Sequence, residues 1–396
     1  MIINQLIPIA VMFITFLMVG QVMSWKFPLN DVGKDRDLQV DGLRALLAFG
    51  VMTYHFFGIY HIVFIDGTFN LDWMHPLVKL LGTWTVPIFF SITSYLFTQK
   101  VCNQDTYAVD WYWNLLIGRV FRLFPVVIFI CLIATIVFTI TSEKSLLNSA
   151  LKSMTFGFVD VTANNANSEQ GLIFGPQWSL HSEWIYYLSL PLIGLLLDKR
   201  VKPIWLLFSL LSLVILSDGW FYFVHWNYGH PYMFWAFIPG IIIGHNQIKR
   251  FLSRYTDKTV IGILVVLLVV VSAYVDQLKV KIPVNTMFIS VLLSRNALTK
   301  VLGCNVLRSL GETTYSIYLL HGVVQYIFIM WLFPPSSAQR LPQWVWWSIA
   351  TIQVTITVVL SRLTYELVEK PGISLGKLLT SRLNSYVRLT FPPKPH

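Results

Sequence analysis

The sequence has 396 residues, of which 55% are hydrophobic and only 12% are charged, and its mean hydropathy is +0.63. Soluble domains carry about twice that share of charged residues, so the composition indicates a chain whose surface mainly faces lipid. The net charge of +10 is spread over short basic clusters between apolar runs, which argues against a nucleic-acid partner. The cysteines, Cys102, Cys131 and Cys304, have no metal-ligand spacing, and no metal is expected.

Apolar runs long enough to cross a bilayer recur along the whole chain. A bilayer core about 30 Å thick requires about 20 residues of helix. The longest connector, 141–177, is too short to bury a core of its own. The sequence therefore predicts an all-α integral membrane protein, a polytopic bundle of ten or eleven transmembrane helices, at residues 4–24, 41–63, 77–98, 115–140, 178–197, 202–217, 231–246, 259–276, 283–297, 309–333 and 344–367.

The basic residues predict the topology of this bundle. With the N-terminus outside, the cytoplasmic segments hold 19 of the 29 Lys and Arg residues, and the outer segments hold 6. Basic residues concentrate on the cytoplasmic side of membrane proteins, so we predict an outer N-terminus and a cytoplasmic C-terminus. The first run is also compatible with a secretory signal, but Lys26, Lys34 and Arg36 follow it instead of preceding it, which favours a retained helix.

Four arginines fall inside predicted spans, where a charge at the helix centre costs about 2.5–3.5 kcal/mol and usually marks a functional site. In the run VDGLRALLAFGVMTYH, Arg44 and His55 are eleven residues apart, close to three helical turns, so both lie on one helix face. Asp41 is placed to pair with Arg44. The alternative is an arginine that reaches the membrane surface and a histidine that is merely part of the core.

A second run, GRVFRLFP, places Arg119 and Arg122 on one face near the cytoplasmic end of a predicted span. An inward-facing pair would suit phosphates or carboxylates, because guanidinium is always charged and binds oxyanions through two parallel hydrogen bonds. The alternative is that both arginines anchor the helix at the membrane surface.

Two further runs place polar groups within predicted spans. In GPQWSLHSEWIYY, Glu183 lies at least one turn below the surface, and in LGETTYSIYLLHG, His321 lies near mid-membrane. An aromatic belt capped by Ser179 and a core histidine are the alternatives. Together, the four runs indicate either a path from an anionic donor to an acceptor or a proton-coupled transporter.

These runs resemble the motifs of the membrane-bound acyltransferase-3 family. The LDGLRAxAxxxVxxxH-like opening of that family is similar to VDGLRALLAFGVMTYH, and its FFVLSGFL segment is similar to FFSITSYLF. Four further elements of the family have counterparts here in the same order, between about residues 38 and 372. They are an RxxR pair with a following proline, the elements WSLxxExxFY and SYxxYLxH, and a closing ExP. The chain departs from these patterns at Thr93, Ser94, His181, Ser182, Trp184 and Glu312.

The resemblance implies three segments: an extra transmembrane helix in residues 1–30, an acyltransferase-3-like domain in residues 31–372, and a cytoplasmic basic tail in residues 373–396. The SGNH-type domain that some family members carry at the C-terminus is not expected, because the sequence ends shortly after the last predicted span. The cell membrane, which is the inner or plasma membrane in bacteria, is the implied location.

The resemblance also implies a reaction, the transfer of an acyl group, commonly acetyl, from cytoplasmic acyl-CoA to a hydroxyl of an envelope polysaccharide or a lipid-linked sugar. Acetyl-CoA is then the donor co-substrate. The expected partners are membrane lipid, the carbohydrate acceptor and, if the chain does not acylate the acceptor itself, a separate extracytoplasmic acyl-transfer protein.

Residue roles follow from the same resemblance. His55 is the expected general base or acyl carrier, and the further catalytic candidates are Glu183 and His321. The expected donor clamp is Arg44, Arg119 and Arg122, with Asp41 in support, and the expected substrate contacts are Trp178, Ser179, Tyr186 and Tyr187.

The main alternative is a proton-coupled transporter of an anionic solute or a lipid-linked glycan, in which His55 and Glu183 relay protons. A purely structural membrane subunit is a third class, but it would not need histidine and glutamate at mid-depth.

Overall fold

The computed structural model describes most of the chain and is helical nearly throughout. The described residues are 5–29, 37–61, 74–103, 109–141, 178–197, 205–209, 235–272, 278–294, 296–328 and 342–390. No strand occurs among them, which confirms the predicted all-α class.

The first half of the bundle consists of long helices. They are α1 (Leu6–Lys26), α2 (Leu38–His61), α3 (Pro76–Cys102), α4 (Val109–Thr141) and α5 (Trp178–Leu196). Three of them contain an internal proline, which removes one backbone hydrogen bond and favours a bend. These prolines are Pro87, Pro125 and Pro191.

Shorter helices follow in the second half, before two long ones close the chain. The shorter helices are α6 (Ile238–Gly244), α7 (Asn246–Thr256), α8 (Thr259–Ser272), α9 (Leu278–Leu292), α10 (Ala297–Lys300), α11 (Asn305–Glu312) and α12 (Thr314–Ile327). The closing helices are α13 (Gln343–Thr364) and α14 (Lys370–Thr390), which are joined by a π-helical turn, Tyr365–Glu369.

Several helices are long and apolar enough to cross a membrane. Within the described residues, five helices meet this condition, and three shorter apolar helices accompany them. The protein is therefore an all-α polytopic membrane protein. The total of ten or eleven spans stays a prediction, because parts of the predicted spans, including most of 202–217, lie outside the described residues. The predicted span 309–333 is divided at Thr313, where α11 ends and α12 begins after it.

The helix α2 lies at the centre of the bundle, and α1 lies at its edge. In the most apolar stretch of each helix, 78% of the residues of α2 are buried, compared with only 22% of those of α1. Two glycines allow the backbones around α2 to approach closely. A side chain at Gly42 would collide with the carbonyl of Leu302, and a side chain at Gly311 would collide with the carbonyl of Asp41. The segment that carries Arg44 and His55 is thus held tightly by its neighbours.

A buried arginine joins the N-terminal helix to the rest of the bundle. Arg362, on α13, donates to the backbone carbonyl of Phe27 at 3.2 Å, just after the end of α1. It also pairs with Glu312 at 3.4 Å and with Glu366 at 2.7 Å, and its guanidinium lies over the Phe27 ring. One cation therefore connects α1, α11 and α13.

We expect Arg362→Leu to destabilise the protein by about 3–5 kcal/mol, because it removes the buried cation of an ion cluster and leaves its carboxylates with less compensating charge. The measurement is the thermal unfolding midpoint of the purified protein. Lys370→Gln is the matched control: Lys370 also pairs with Glu366 at 2.7 Å, but its side chain is 42% exposed, and an exposed pair contributes about 0–1 kcal/mol. Equal losses in the two variants would contradict this account of the cluster.

Candidate active site

One cavity in the described part of the chain contains six of the predicted site residues. The space between its walls is about 790 Å³, a figure that includes the part open to solvent. Aromatic rings form much of its wall, and the polar groups converge from five helices, α2, α3, α4, α5 and α12. The lining residues are Arg44, Val86, Phe89, Phe90, Ile92, Thr93, Leu96, Phe97, Arg119, Arg122, Leu123, Ser179, Leu180, Glu183, Tyr187, Thr314, Tyr315 and Tyr318.

Arg119 is held in the cavity by aromatic rings. The central carbon of its guanidinium lies 4.6 Å from the centre of the Phe97 ring and 5.5 Å from the centre of the Tyr187 ring. A guanidinium group has five N–H donors, so contacts with two rings leave donors for other partners. The rings can therefore fix Arg119 while N–H groups remain in position for an oxyanion.

The other two arginines of the cavity are paired with carboxylates. Arg44 Nη1 lies 4.0 Å from Asp41 Oδ1, the contact that the sequence predicts, and Arg122 Nε lies 3.4 Å from Glu369 Oε1. When Glu183 is included, three carboxylates balance the formal charge of the three arginines. The cavity therefore has no excess of positive charge to attract an anionic ligand. Such a ligand must displace these carboxylates from the arginines, and it is selected by the geometry of the hydrogen bonds that it makes.

Glu183 is fixed by two hydroxyl groups at the cavity wall. Tyr187 Oη donates to Glu183 Oε2 at 2.7 Å, one helical turn further along α5. Thr93 Oγ1 donates to Glu183 Oε1 at 3.3 Å from α3. Thr93 is one of the positions at which the chain departs from the family pattern, and this contact gives the departure a structural role.

His55 and His321 form a pair next to the cavity but do not line it. Their ring centres are 5.2 Å apart. His321 Nδ1 lies 3.3 Å from the carbonyl oxygen of Ile317, which can only accept, so in the neutral ring the proton is on Nδ1 and Nε2 is the basic nitrogen. Tyr318 belongs to both places: it lines the cavity, its ring centre is 6.1 Å from that of His321, and its hydroxyl is 2.8 Å from Ser179 Oγ.

Glu369 is a site residue that the sequence analysis did not single out. It is fully buried, accepts a hydrogen bond from Ser316 Oγ at 3.0 Å, and pairs with Arg122. It ends the π-helical turn that follows α13, and such turns are frequent at functional sites. The sequence signal was present in the run ELVEKP, where a carboxylate follows directly after the last predicted span.

The remaining predicted substrate contacts are Tyr186 and Trp178, both on α5. Tyr186 is buried, and its ring is stacked on Phe237 at 4.5 Å with an angle of only 3°, so the expectation that it offers a ring face to a sugar is wrong. Hydrophobic packing between α5 and the residues that precede α6 explains this tyrosine instead. The backbone of Trp178 begins α5, but its side chain lies outside the described part of the chain.

Comparison with protein families gives a match that covers most of the chain. The model described as an acyltransferase domain, of the acyltransferase-3 type, matches residues 37–366. Searches of curated proteins and of solved structures find no match. The matched range contains the cavity arginines, Glu183 and both histidines of the pair. Because this match extends over well more than half of the sequence, the chain belongs to the acyltransferase-3 family and is a membrane acyltransferase.

Proposed function

We propose that the protein transfers an acetyl group from acetyl-CoA to a hydroxyl group of an envelope polysaccharide or a lipid-linked sugar. The observation that carries this proposal is the position of the three arginines in one cavity, whose lining residue Tyr318 also contacts His321 of the His55–His321 pair. Oxyanion-binding groups and a candidate base therefore lie at neighbouring places in the same bundle.

The arginines bind the donor. CoA carries several phosphate groups, and guanidinium groups bind phosphate oxygens through paired, charge-assisted hydrogen bonds. Arg119 is the principal contact, because Phe97 and Tyr187 hold its guanidinium in place. Arg44 and Arg122 bind further oxyanions as their contacts with Asp41 and Glu369 rearrange. The aromatic walls enclose the apolar part of the donor.

The histidine pair performs the proton transfer. His55 takes the proton of the acceptor hydroxyl as the hydroxyl oxygen attacks the carbonyl carbon of the thioester. The carbon–sulfur bond then breaks, and the proton passes to the departing thiolate, so the products are an ester and free CoA. Transient acylation of His55 followed by transfer to the acceptor gives the same products. His321 orients His55. Glu183, whose carboxylate is held by Thr93 and Tyr187, positions the acceptor.

The protein works in the cell membrane, which is the inner or plasma membrane in a bacterium, with its N-terminus outside and its C-terminus in the cytoplasm. This orientation places the arginines near the cytoplasmic supply of acyl-CoA. The acceptor approaches from the opposite side, and either it or a separate extracytoplasmic protein receives the acyl group.

The experiment that tests the proposal is an assay of thioester consumption. Purified protein in nanodiscs is mixed with acetyl-CoA, and free CoA is measured with and without envelope glycan. We expect CoA release that increases with glycan and an acetyl ester on the glycan. Reconstituted protein that moves an anionic solute across the bilayer without releasing CoA would overturn the proposal in favour of a proton-coupled transporter.

We expect Tyr318→Phe to lower kcat about 2- to 10-fold, the effect of one buried hydrogen bond, because it removes the hydroxyl that contacts Ser179 between the cavity and the histidine pair. Ser179→Ala should have a similar effect. The double variant should lose less than the sum of the two single losses, because both single variants already lack the same contact. Fully additive losses would show that the two hydroxyls act independently.

A further inference from the structure

The helix α7 lies across one end of the bundle. Near its start, Asn246 Nδ2 donates to Asn103 Oδ1 at 2.9 Å, just after the end of α3. At its end, the Thr256 carbonyl accepts hydrogen bonds from Ser294 and Asn296, just after the end of α9. Because α7 bridges the ends of two helices, one side of it packs against the bundle and the opposite side faces away from the bundle.

The side that faces the protein is fixed by a lysine. Lys249 Nζ donates to Tyr95 Oη at 2.6 Å and lies 5.1 Å from the centre of the same ring. Asp37 also attracts this ammonium group. Lys249 is therefore engaged within the protein, and it is the other basic residues of α7 that face outward.

The outward side of α7 carries an apolar row. Ile248, Phe251 and Tyr255 recur at helical spacing and are exposed, the two aromatic residues by 56% and 55%. Their rings meet edge to face at 5.6 Å. The next helix, α8, exposes apolar residues along its length, from Val260 at its start to Val271 near its end, as expected of a helix that faces lipid. Because α8 follows α7 after two residues, the apolar row of α7 lies next to the start of this lipid-facing helix, at the level where the headgroups of a bilayer begin.

Next to this row, α7 carries two exposed arginines one turn apart, Arg250 and Arg254, and Lys258 follows the helix. A helix that lies in the membrane interface places its apolar side at the boundary of the acyl chains and its basic side among the headgroups. At that level, the guanidinium groups meet phosphate, and anionic lipids strengthen the attraction.

We propose that α7 is a binding site for anionic phospholipid. Phe251 and Tyr255 enter the boundary of the acyl chains, and Arg250 and Arg254 bind the headgroup phosphate. The site is connected to the cavity through α6, which directly precedes α7 and packs against α3 so closely that a side chain at Gly240 would collide with Ser94.

Titration of the purified full-length protein with lipid, followed by native mass spectrometry, tests this site. The probes are phosphatidylglycerol and phosphatidylcholine with identical acyl chains. We expect the wild type to bind the anionic lipid more tightly than the neutral one. In R250Q/R254Q, the ratio of the two affinities should fall about fivefold for each arginine removed. R250K/R254K should retain most of the preference because the charges remain. K377Q/R382Q, which removes two exposed charges from α14, is the matched control and should change it little.

Two further results decide the proposal without relying on one variant. In about 0.5 M salt, which screens exposed charges, the preference of the wild type should decline. In neutral lipid, the variants should unfold at the temperature of the wild type, because the substituted side chains are exposed. A wild type without preference, an R250Q/R254Q variant that keeps it, or an equal loss in K377Q/R382Q would each overturn the assignment of this site.

Discussion

Replacing His55 by asparagine is expected to reduce kcat for acetyl transfer about 100- to 10,000-fold, the contribution typical of a positioned general base. The substitution keeps a polar side chain on α2 but removes the nitrogen that takes the proton. Because the donor binds at the arginines and not at the histidines, the KM for acetyl-CoA should change little. The measurement is the initial rate of CoA release over a range of acetyl-CoA concentrations.

His61→Asn is the matched control for this experiment. His61 is also on α2 and is buried, but it lies six residues beyond His55, outside the pair with His321. Its substitution tests the general cost of removing a buried histidine from this helix, and kcat should stay within a few-fold of that of the wild type. If His55→Asn is folded and no slower than His61→Asn, His55 is neither the base nor the acyl carrier.

Replacing Arg119 by alanine should raise the KM for acetyl-CoA about 30-fold or more, because the loss of a buried charge that binds an oxyanion costs about 2–5 kcal/mol. Arg119→Lys should recover only part of this loss, since an ammonium group cannot match the planar fork held over Phe97 and Tyr187. Steady-state kinetics on both variants provide the measurement.

Lys377→Ala controls for the removal of one positive charge outside the cavity. Lys377 is exposed on α14, and its substitution should leave KM unchanged. A normal KM in Arg119→Ala would show that the donor does not use this guanidinium. A large loss in kcat alone would assign Arg119 to the transition state instead of to donor binding.

The helical period allowed much of the site to be predicted. Residues three or four apart share a helix face, and intramembrane charges turn inward because lipid cannot solvate them. Those two facts were sufficient to select Arg44, Arg119, Arg122 and Glu183, all of which line the cavity. The Asp41–Arg44 contact followed from the same spacing.

Features that depend on tertiary structure were not predictable in this way. Glu369 meets Arg122 because the backbone forms a π-helical turn, and such a turn changes which side chains face inward without leaving a periodic signal. Tyr186 and Tyr187 are neighbours in one motif, but α5 directs the first to Phe237 and the second to Glu183. Helix continuity was also predicted incorrectly, because the predicted span 309–333 contains the boundary at Thr313, where α11 ends and α12 begins after it.

The most direct test of the central claim is a cryo-EM structure of the protein with bound CoA. Density for CoA phosphate oxygens within hydrogen-bond distance of Arg119, with the thiol directed toward Tyr318 and the His55–His321 pair, is the result expected here. CoA bound at another surface, or bound in this cavity with its thiol directed away from both histidines, would contradict the proposed path from donor to acceptor.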